Sequence, residues 1–328
     1  MGDSEPSNSA TPHQSLPERT EIEASISAII SQNRRSANEF IVSKHSKDAA
    51  KNWDKFYKNH QAKFFKDRHW TSREFFNEMN ATSSPSEDDR EEETRMVSDF
   101  AVWNHDGSDS VLLEVGCGVG NMLYPLLETN SNLKVHCCDF SSRAVDIVRN
   151  HPLYNSNRVN AFVFDLTQTD PPLSSFVSSP LQSDQSYASW PNIKIISLIF
   201  VLSAIPPQFH SQVLSTLKNL LSPQGGYILF RDYAYGDLSQ VRYHTKKDSA
   251  WAEPSLLTND PNHNWYKRGD NTFNYFFQQI QLETLAQQLG LQGNVETLRR
   301  TAFNRKSQVN MERRFVQAKW YVAPSSNK

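Results

Sequence analysis

From Val111 onward the chain alternates apolar runs with amphipathic stretches, and this alternation constrains the fold more than any other feature. VLLEVG, KVHCCDF, NAFVFDL, IKIISLIFVLS and GYILFRDY read as strands. YPLLET, SSRAVDIVRN and PQFHSQVLSTLKNLLS between them have helical spacing, the second after a serine cap. A Ser/Pro-rich stretch over 168–191 reads as a surface loop. Strands that are apolar on both faces must be covered on both, which predicts a mostly parallel sheet between two layers of helices. The C-terminal end departs from the pattern. After the helix QLETLAQQLG, the runs NVETLRRTAF and ERRFVQAKWYVA follow with no helix between them, predicting an antiparallel hairpin at the sheet edge.

Composition narrows the class. With 34 basic and 36 acidic residues the formal net charge is -2, so a uniformly basic nucleic-acid binder is excluded and any such surface must be local. Cys117, Cys137 and Cys138 offer no disulfide framework and no metal spacing; adjacent Cys137 and Cys138 fall on opposite faces of a strand. No metal is expected, and a reducing compartment fits. No apolar stretch approaches the ~20 residues of a membrane span, and the first residues read as neither a secretory signal nor a mitochondrial presequence. The expected location is cytoplasmic, with the nucleus as an addition. The chain divides on this reading into a largely disordered tail over 1–40, a basic and aromatic helical extension over 41–100, and a catalytic domain over 101–328. Within the tail, Ile22, Ile26, Ile29 and Ile30 have the spacing of a short amphipathic helix. The acidic run Glu87 to Glu93 reads as a solvated loop or first helical turn.

The first strand ends in LEVGCGVGN, with glycines at 116, 118 and 120. A dinucleotide fold wants G-x-G-x-x-G, but Asn121 stands where its third glycine would be. With Glu114 the run is E-x-G-x-G-x-G, which resembles the first motif of S-adenosylmethionine methyltransferases. Asp139 ends the second strand, where a carboxylate can accept both ribose hydroxyls. A helix cap is the other reading, but Ser141 and Ser142 are better placed for that. Asp165 ends the third strand, within reach of an adenine amine, with a helix cap again as the alternative. The expected fold is therefore a class I, Rossmann-like methyltransferase sheet of seven strands with an antiparallel C-terminal strand, and the expected cofactor is S-adenosyl-L-methionine.

Two segments are basic. Lys44 to Trp70 holds eight Lys/Arg against three acids, with six aromatics interleaved. Trp53, Phe56 and Tyr57 share one helical face edged by Lys51, Lys55 and Lys58. Packing on the domain is the simpler reading for Phe56, yet cations and rings in alternation also suit RNA. Arg299 to Lys319 adds seven basic residues against one acid.

WDKFYKNH, FFKDRHW, LEVGCGVGN, CCDFS, LIFVLSAIPP, GGYILFRDY, RGD and NRKSQVNMERRFVQAKW together resemble the eukaryotic tRNA N3-methylcytidine methyltransferases over about residues 47 to 321. The resemblance implies methylation of cytidine 32 in the anticodon loop of threonine or serine tRNAs; a monomer is expected, with an aminoacyl-tRNA synthetase as a further partner. It implies that Trp53 and Tyr57 close over the cofactor beside Gly116, Gly118, Asp139, Asp165 and Ile199. Phe64, Phe65, Lys66, Arg68, His69, Arg242, Arg268, Arg313 and Arg314 are the expected tRNA contacts. The family's RGDGT stands here as Arg268 to Thr272 with Asn271 in place of its second glycine, after a long SAWAEPSLLTNDPNHNWYK. Asp232, with Arg231 beside it, is the candidate for stabilising the charge that develops on the base; a structural pairing of Asp232 with Arg231 or Arg68 is the alternative. Two other functions compete: methylation of a protein, and an inactive subunit that positions a partner enzyme. The intact glycine turn and ribose acid argue against the second, the basic-aromatic segment against the first.

Overall fold

The computed structural model describes residues 19–32, 34–60, 67–68, 110–178, 190–245, 254–304 and 309–324. Strands β1 (Ser110–Val115), β2 (Leu133–Asp139), β3 (Val159–Val163), β4 (Ile193–Ile199) and β5 (Gly226–Tyr233) run parallel, with β8 (Val295–Asn304) and β9 (Val309–Val322) completing one sheet in the order β3-β2-β1-β4-β5-β9-β8. β9 is antiparallel to both neighbours, from Gly226 opposite Val322 to Tyr233 opposite Phe315 on one side and along β8 on the other. The fold class and the terminal hairpin stand as the sequence predicts.

Alternation along the strands builds two cores. Val111, Leu113 and Val115 face one layer and Leu112 the other, all at most 1 % exposed. Cys138 and Cys137 likewise part to opposite faces. Truncating such a residue, Leu112→Ala for example, costs about 2–5 kcal/mol in transfer and cavity terms. The connecting helices are α4 (Leu123–Thr129), α5 (Ser142–Arg149), α6 (Leu173–Ser178), α7 (His210–Leu220), α8 (Leu238–Thr245) and α9 (Gln279–Gln288). In α7 the spacing of Val213, Leu214 and Leu217 buries one face completely, and in α5 Ala144, Val145 and Val148 do the same behind the Ser141 cap. α6 and α8 have no clear apolar period, and sequence reading missed both.

Among the described residues, three helices precede the sheet: α1 (Arg19–Gln32), α2 (Glu39–Lys47) and α3 (Ala49–His60). In α1, Ile30 is buried while Ile22 is exposed, and Glu23 pairs with Arg299 and Arg314 of the terminal hairpin. Residues after α1 are tied to the long insertion. The Arg34 guanidinium donates to Asn264 Oδ1 (3.1 Å) and to the carbonyls of Asp260 (3.0 Å) and His263 (2.7 Å). The Ala37 amide donates to the Leu256 carbonyl (2.7 Å). The insertion itself ends in a small hairpin, β6 (Trp265–Lys267) with β7 (Phe273–Tyr275).

Candidate cofactor cleft and substrate platform

A cleft of about 980 Å³, counting its open mouth, lies at the carboxyl ends of β1 to β4. This is where the strand order reverses, the place where open parallel sheets receive ligands. Val115 and Gly116 line it after β1, Cys138, Asp139 and Phe140 after β2, Phe164 to Thr167 after β3, and Phe200, Val201 and Ala204 to Pro206 after β4. Ser46, Ala49, Trp53 and Tyr57 of α2 and α3 form its outer wall.

The glycine turn needs its glycines. Gly116 has φ +63°, and a Cβ there would stand 2.3 Å from a Val201 methyl; Gly118 has φ +54°, and a Cβ would meet the Tyr57 hydroxyl at 3.0 Å. Only a residue without a side chain takes that backbone at no steric cost while the neighbours approach so closely. Asp139 holds the turn in shape. Its Oδ2 accepts from the Gly118 amide and its Oδ1 from the Ser141 amide, each at 2.9 Å. The Phe140 amide adds to them, and the carboxylate, with two oxygens, still has acceptor capacity to spare. Burial pushes this carboxyl up to about 6, against the backbone amides that favour its charge. Ser141, as expected, is the helix cap, accepting from the Ala144 amide (3.2 Å). Asp165 accepts the amide (2.8 Å) and hydroxyl (2.7 Å) of Thr167 with Oδ1 alone, so this acid shapes a turn and lines the cleft at once.

Helix α3 is docked by residues that the sequence reading passed over. Asp54 accepts the Ser141 hydroxyl and the Arg143 amide at the start of α5. Asn52 donates to the Asn271 carbonyl (3.2 Å) in the RGD turn. Trp53 stacks on Tyr57 (centroids 5.9 Å apart), and Phe56, 5 % exposed, packs with Tyr57, Val119 and Ala144, which confirms it as a packing residue. Asn121, in the place of the absent third glycine, holds the Asp67–Arg68 pair. Its carbonyl accepts the Arg68 amide (2.7 Å) and its side chain donates to Asp67 (3.2 Å).

Beside the cleft lies an aromatic platform. The Phe200 ring meets those of Tyr233 (5.0 Å) and Phe315 (5.5 Å). Guanidinium groups ring it: Arg68 over Phe200, Arg231 over Phe315, Arg268 over Tyr233, and Arg313 over Tyr233 and Phe315, at 5.2 to 5.7 Å from the centroids. Phe200 sits at φ +59°, costly for a bulky residue and typical of functional sites. No periodicity in the sequence signals that backbone. Asn271 is also left-handed (φ +68°), which explains how the chain departs from RGDGT without losing the turn: asparagine tolerates this region best after glycine.

Of the expected site residues, Trp53, Tyr57, Gly116, Asp139 and Asp165 line the cleft, and Gly118 bonds to Asp139. Ile199 lies behind the wall, its carbonyl accepting from Arg68 Nη1 (3.2 Å). Arg268 and Arg313 join the platform, and Arg242 is exposed on α8. Phe64, Phe65, Lys66 and His69 lie outside the described residues.

Three expectations need correction. Asp232 is fully buried and absent from the cleft lining; its oxygens accept the amides of Ser203 and Tyr233, each at 2.9 Å. Burial raises its carboxyl to about 6. It anchors the turn after β4 and does not reach the cleft. Arg231 is buried under the Phe315 ring, so it too acts from behind the wall. Arg314 is 3 % exposed and its guanidinium is bound by Glu23 and Glu312 at 2.8 and 2.9 Å, so its charge serves the fold and not RNA. Arg313 differs: Asp237 Oδ2 accepts from its Nε at 2.8 Å and holds the guanidinium at the platform.

A sheet of this order, with a glycine turn latched to an acid at the end of β2, defines a class I S-adenosylmethionine-dependent methyltransferase; a family model described as methyltransferase domain matches residues 87–297. The chain is 37% identical over 86% of its length to tRNA N(3)-methylcytidine methyltransferase trm141 of Schizosaccharomyces pombe, covering 96% of that protein. It is 38% identical to METTL6 of Rattus norvegicus (87% of this chain, 83% of that one) and 39% identical to METTL2 of Xenopus tropicalis (83% and 77%), both named tRNA N(3)-cytidine methyltransferases. The chain belongs to the tRNA N3-cytidine methyltransferase family.

Proposed function

We propose that the chain methylates N3 of cytidine 32 in the anticodon loop of threonine or serine tRNAs, acting as a monomer in the cytoplasm. The observation that carries this reading is the platform of Phe200, Tyr233 and Phe315. It is half-buried and ringed by guanidinium groups, its rings tilted by 45° and 75° against Phe200, and Phe200 belongs to both the platform and the cleft wall. An aromatic surface edged with cations suits a nucleobase with its phosphates, and this one adjoins the place of the methyl donor. Lys51, Lys55 and Lys58, all exposed on the outer face of α3, extend the positive surface over the outer wall.

The residues present fit the cofactor. The glycine turn leaves a cradle without side chains, Asp139 lines the cleft with acceptor capacity to spare, and Trp53 and Tyr57 cover it. When bound, S-adenosylmethionine supplies a methyl group already activated on a sulfonium. Cytosine N3 carries an in-plane lone pair, so it needs no strong base, and the chain works by orientation. N3 lies on the pairing edge, so the base must be unpaired and turned outward. The platform would hold the extruded ring, and α2 and α3 would keep water from it. Asp232 is a positioning residue in this account, fixing the turn from which the Phe200–Ala204 segment reaches the cleft.

The test is mass spectrometry of nucleosides after incubating the protein with S-adenosylmethionine and single tRNAs, with and without native modifications. 3-Methylcytidine at position 32 of threonine or serine tRNAs is expected. Methylation of another base or position, or of none of these tRNAs, would overturn the reading.

A further inference from the structure

Among the described residues the most exposed large apolar side chain is Phe40, at 75 %. It stands in the first turn of α2, whose start is fixed by the Asn38 side chain accepting the Ile41 amide (3.0 Å). Its neighbours Ile41 and Val42 pack against the main core, and Ser46 of the same helix lines the cofactor cleft. The ring therefore points away from both the core and the cleft. Among the described residues no ring contact holds it, and packing on them does not account for its exposure.

The residues that share its face are lysines. Phe40, Lys44 and Lys47 follow the spacing i, i+4, i+7 and lie on one side of α2, opposite Val42 and Ser46. After the single residue Asp48, α3 repeats the spacing with Lys51, Lys55 and Lys58. All five lysines are exposed, and none has a carboxylate partner among the described residues. A row of unpaired cations ending in a bare ring matches a polyanion that carries flat apolar faces along its length. It does not match an acidic peptide, which has no use for the ring, or a lipid surface, which would need more than one apolar anchor.

We propose that Phe40 is a stacking site for an unpaired base of the bound tRNA, outside the catalytic cleft, with Lys44 and Lys47 on the flanking phosphates. The proposal rests on the tRNA reading above. It adds an anchor on the outer face of the cleft wall, so that the RNA is held on both sides of that wall.

Affinity for the substrate tRNA, measured against salt by fluorescence anisotropy, tests this with Phe40→Ala, Phe40→Leu, Phe40→Trp and Lys44→Ala. Since the side chain is exposed, the melting temperature should not change. Stacking predicts that Phe40→Ala and Phe40→Leu both weaken binding by about fivefold or more, while Phe40→Trp keeps it. Phe40→Ala should leave the salt slope alone, and Lys44→Ala should lower it by about one. A leucine variant that binds like wild type would replace stacking with a general apolar contact and overturn the proposal, as would an alanine variant of unchanged affinity. A wild-type chain that binds no tRNA would instead remove the reading beneath it.

Discussion

Replacing Asp139 with alanine should have two separable effects, because its carboxylate performs two tasks. In the free protein it accepts the Gly118 and Ser141 amides, each at 2.9 Å. Without it the buried Ser141 amide loses its acceptor, at about 1–3 kcal/mol, while the half-exposed Gly118 amide can turn to water. A melting temperature lower by several degrees is therefore expected before any ligand is added. The cofactor should bind about 10- to 100-fold more weakly, as for the loss of hydrogen bonds worth about 1.5–3 kcal/mol to a charged group. Calorimetry and thermal unfolding read the two effects apart. The pH dependence has opposite signs for them. Because burial holds the folded carboxyl at about 6, above its value in the unfolded chain, its contribution to stability is present at low pH and is lost as the pH rises through 6. Cofactor affinity, which needs the charged acceptor, should instead fall as the pH drops below 6, and this step should vanish in the alanine variant. A folded Asp139→Ala protein with wild-type affinity and no loss of that step would refute the assignment.

Three further outcomes are expected. Arg314→Ala should lower the melting temperature through the lost packing of its buried side chain, with little electrostatic cost because Glu23 and Glu312 are partly exposed and keep Arg299, and should keep the salt slope of tRNA binding; Lys51→Ala and Lys55→Ala should do the reverse, and an Arg314 variant with a reduced slope would restore it as a phosphate contact. Asp232→Asn turns one acceptor into a donor facing a backbone amide, so turnover and melting temperature should fall together; loss of turnover at unchanged stability would return Asp232 to the chemistry. Asn271→Gly should be neutral in melting and activity, whereas Asn271→Ala should cost about 1 kcal/mol in the left-handed turn, and equal stability of the two would show that the turn carries no strain.

The sheet was legible in the sequence because its signal is local: apolar runs of strand length, a serine cap, and two late strands with no helix between them. Asp139 and the glycine turn were legible for the same reason, since they follow a strand directly. What the sequence concealed depends on distant partners. Nothing near Arg34 announces three acceptors more than 220 residues away, and nothing near Asp54 points to Ser141. The charge of Arg314 reads like that of Arg313, but one pairs with α1 and the other rests on Tyr233, a difference that only the packing decides. Asp232 misled by position: the end of a core strand usually faces the ligand, and here the side chain turned back to hold Ser203.

Helix α3 touches everything that must change during a catalytic cycle. Its inner face lines the cofactor cleft, Asp54 clips it to the helix behind Asp139, Asn52 reaches the substrate-side turn, and its lysines face outward to where the tRNA would rest. A latch of this kind cannot serve its two ligands independently. On the proposed function, spent cofactor would share its wall with the RNA and so should stay trapped until the methylated tRNA departs. We therefore expect each protein molecule to complete its first methyl transfer quickly and then wait, giving a burst of about one product per molecule in rapid-quench experiments. A time course that is linear from the first turnover would show that the latch opens with the tRNA still in place.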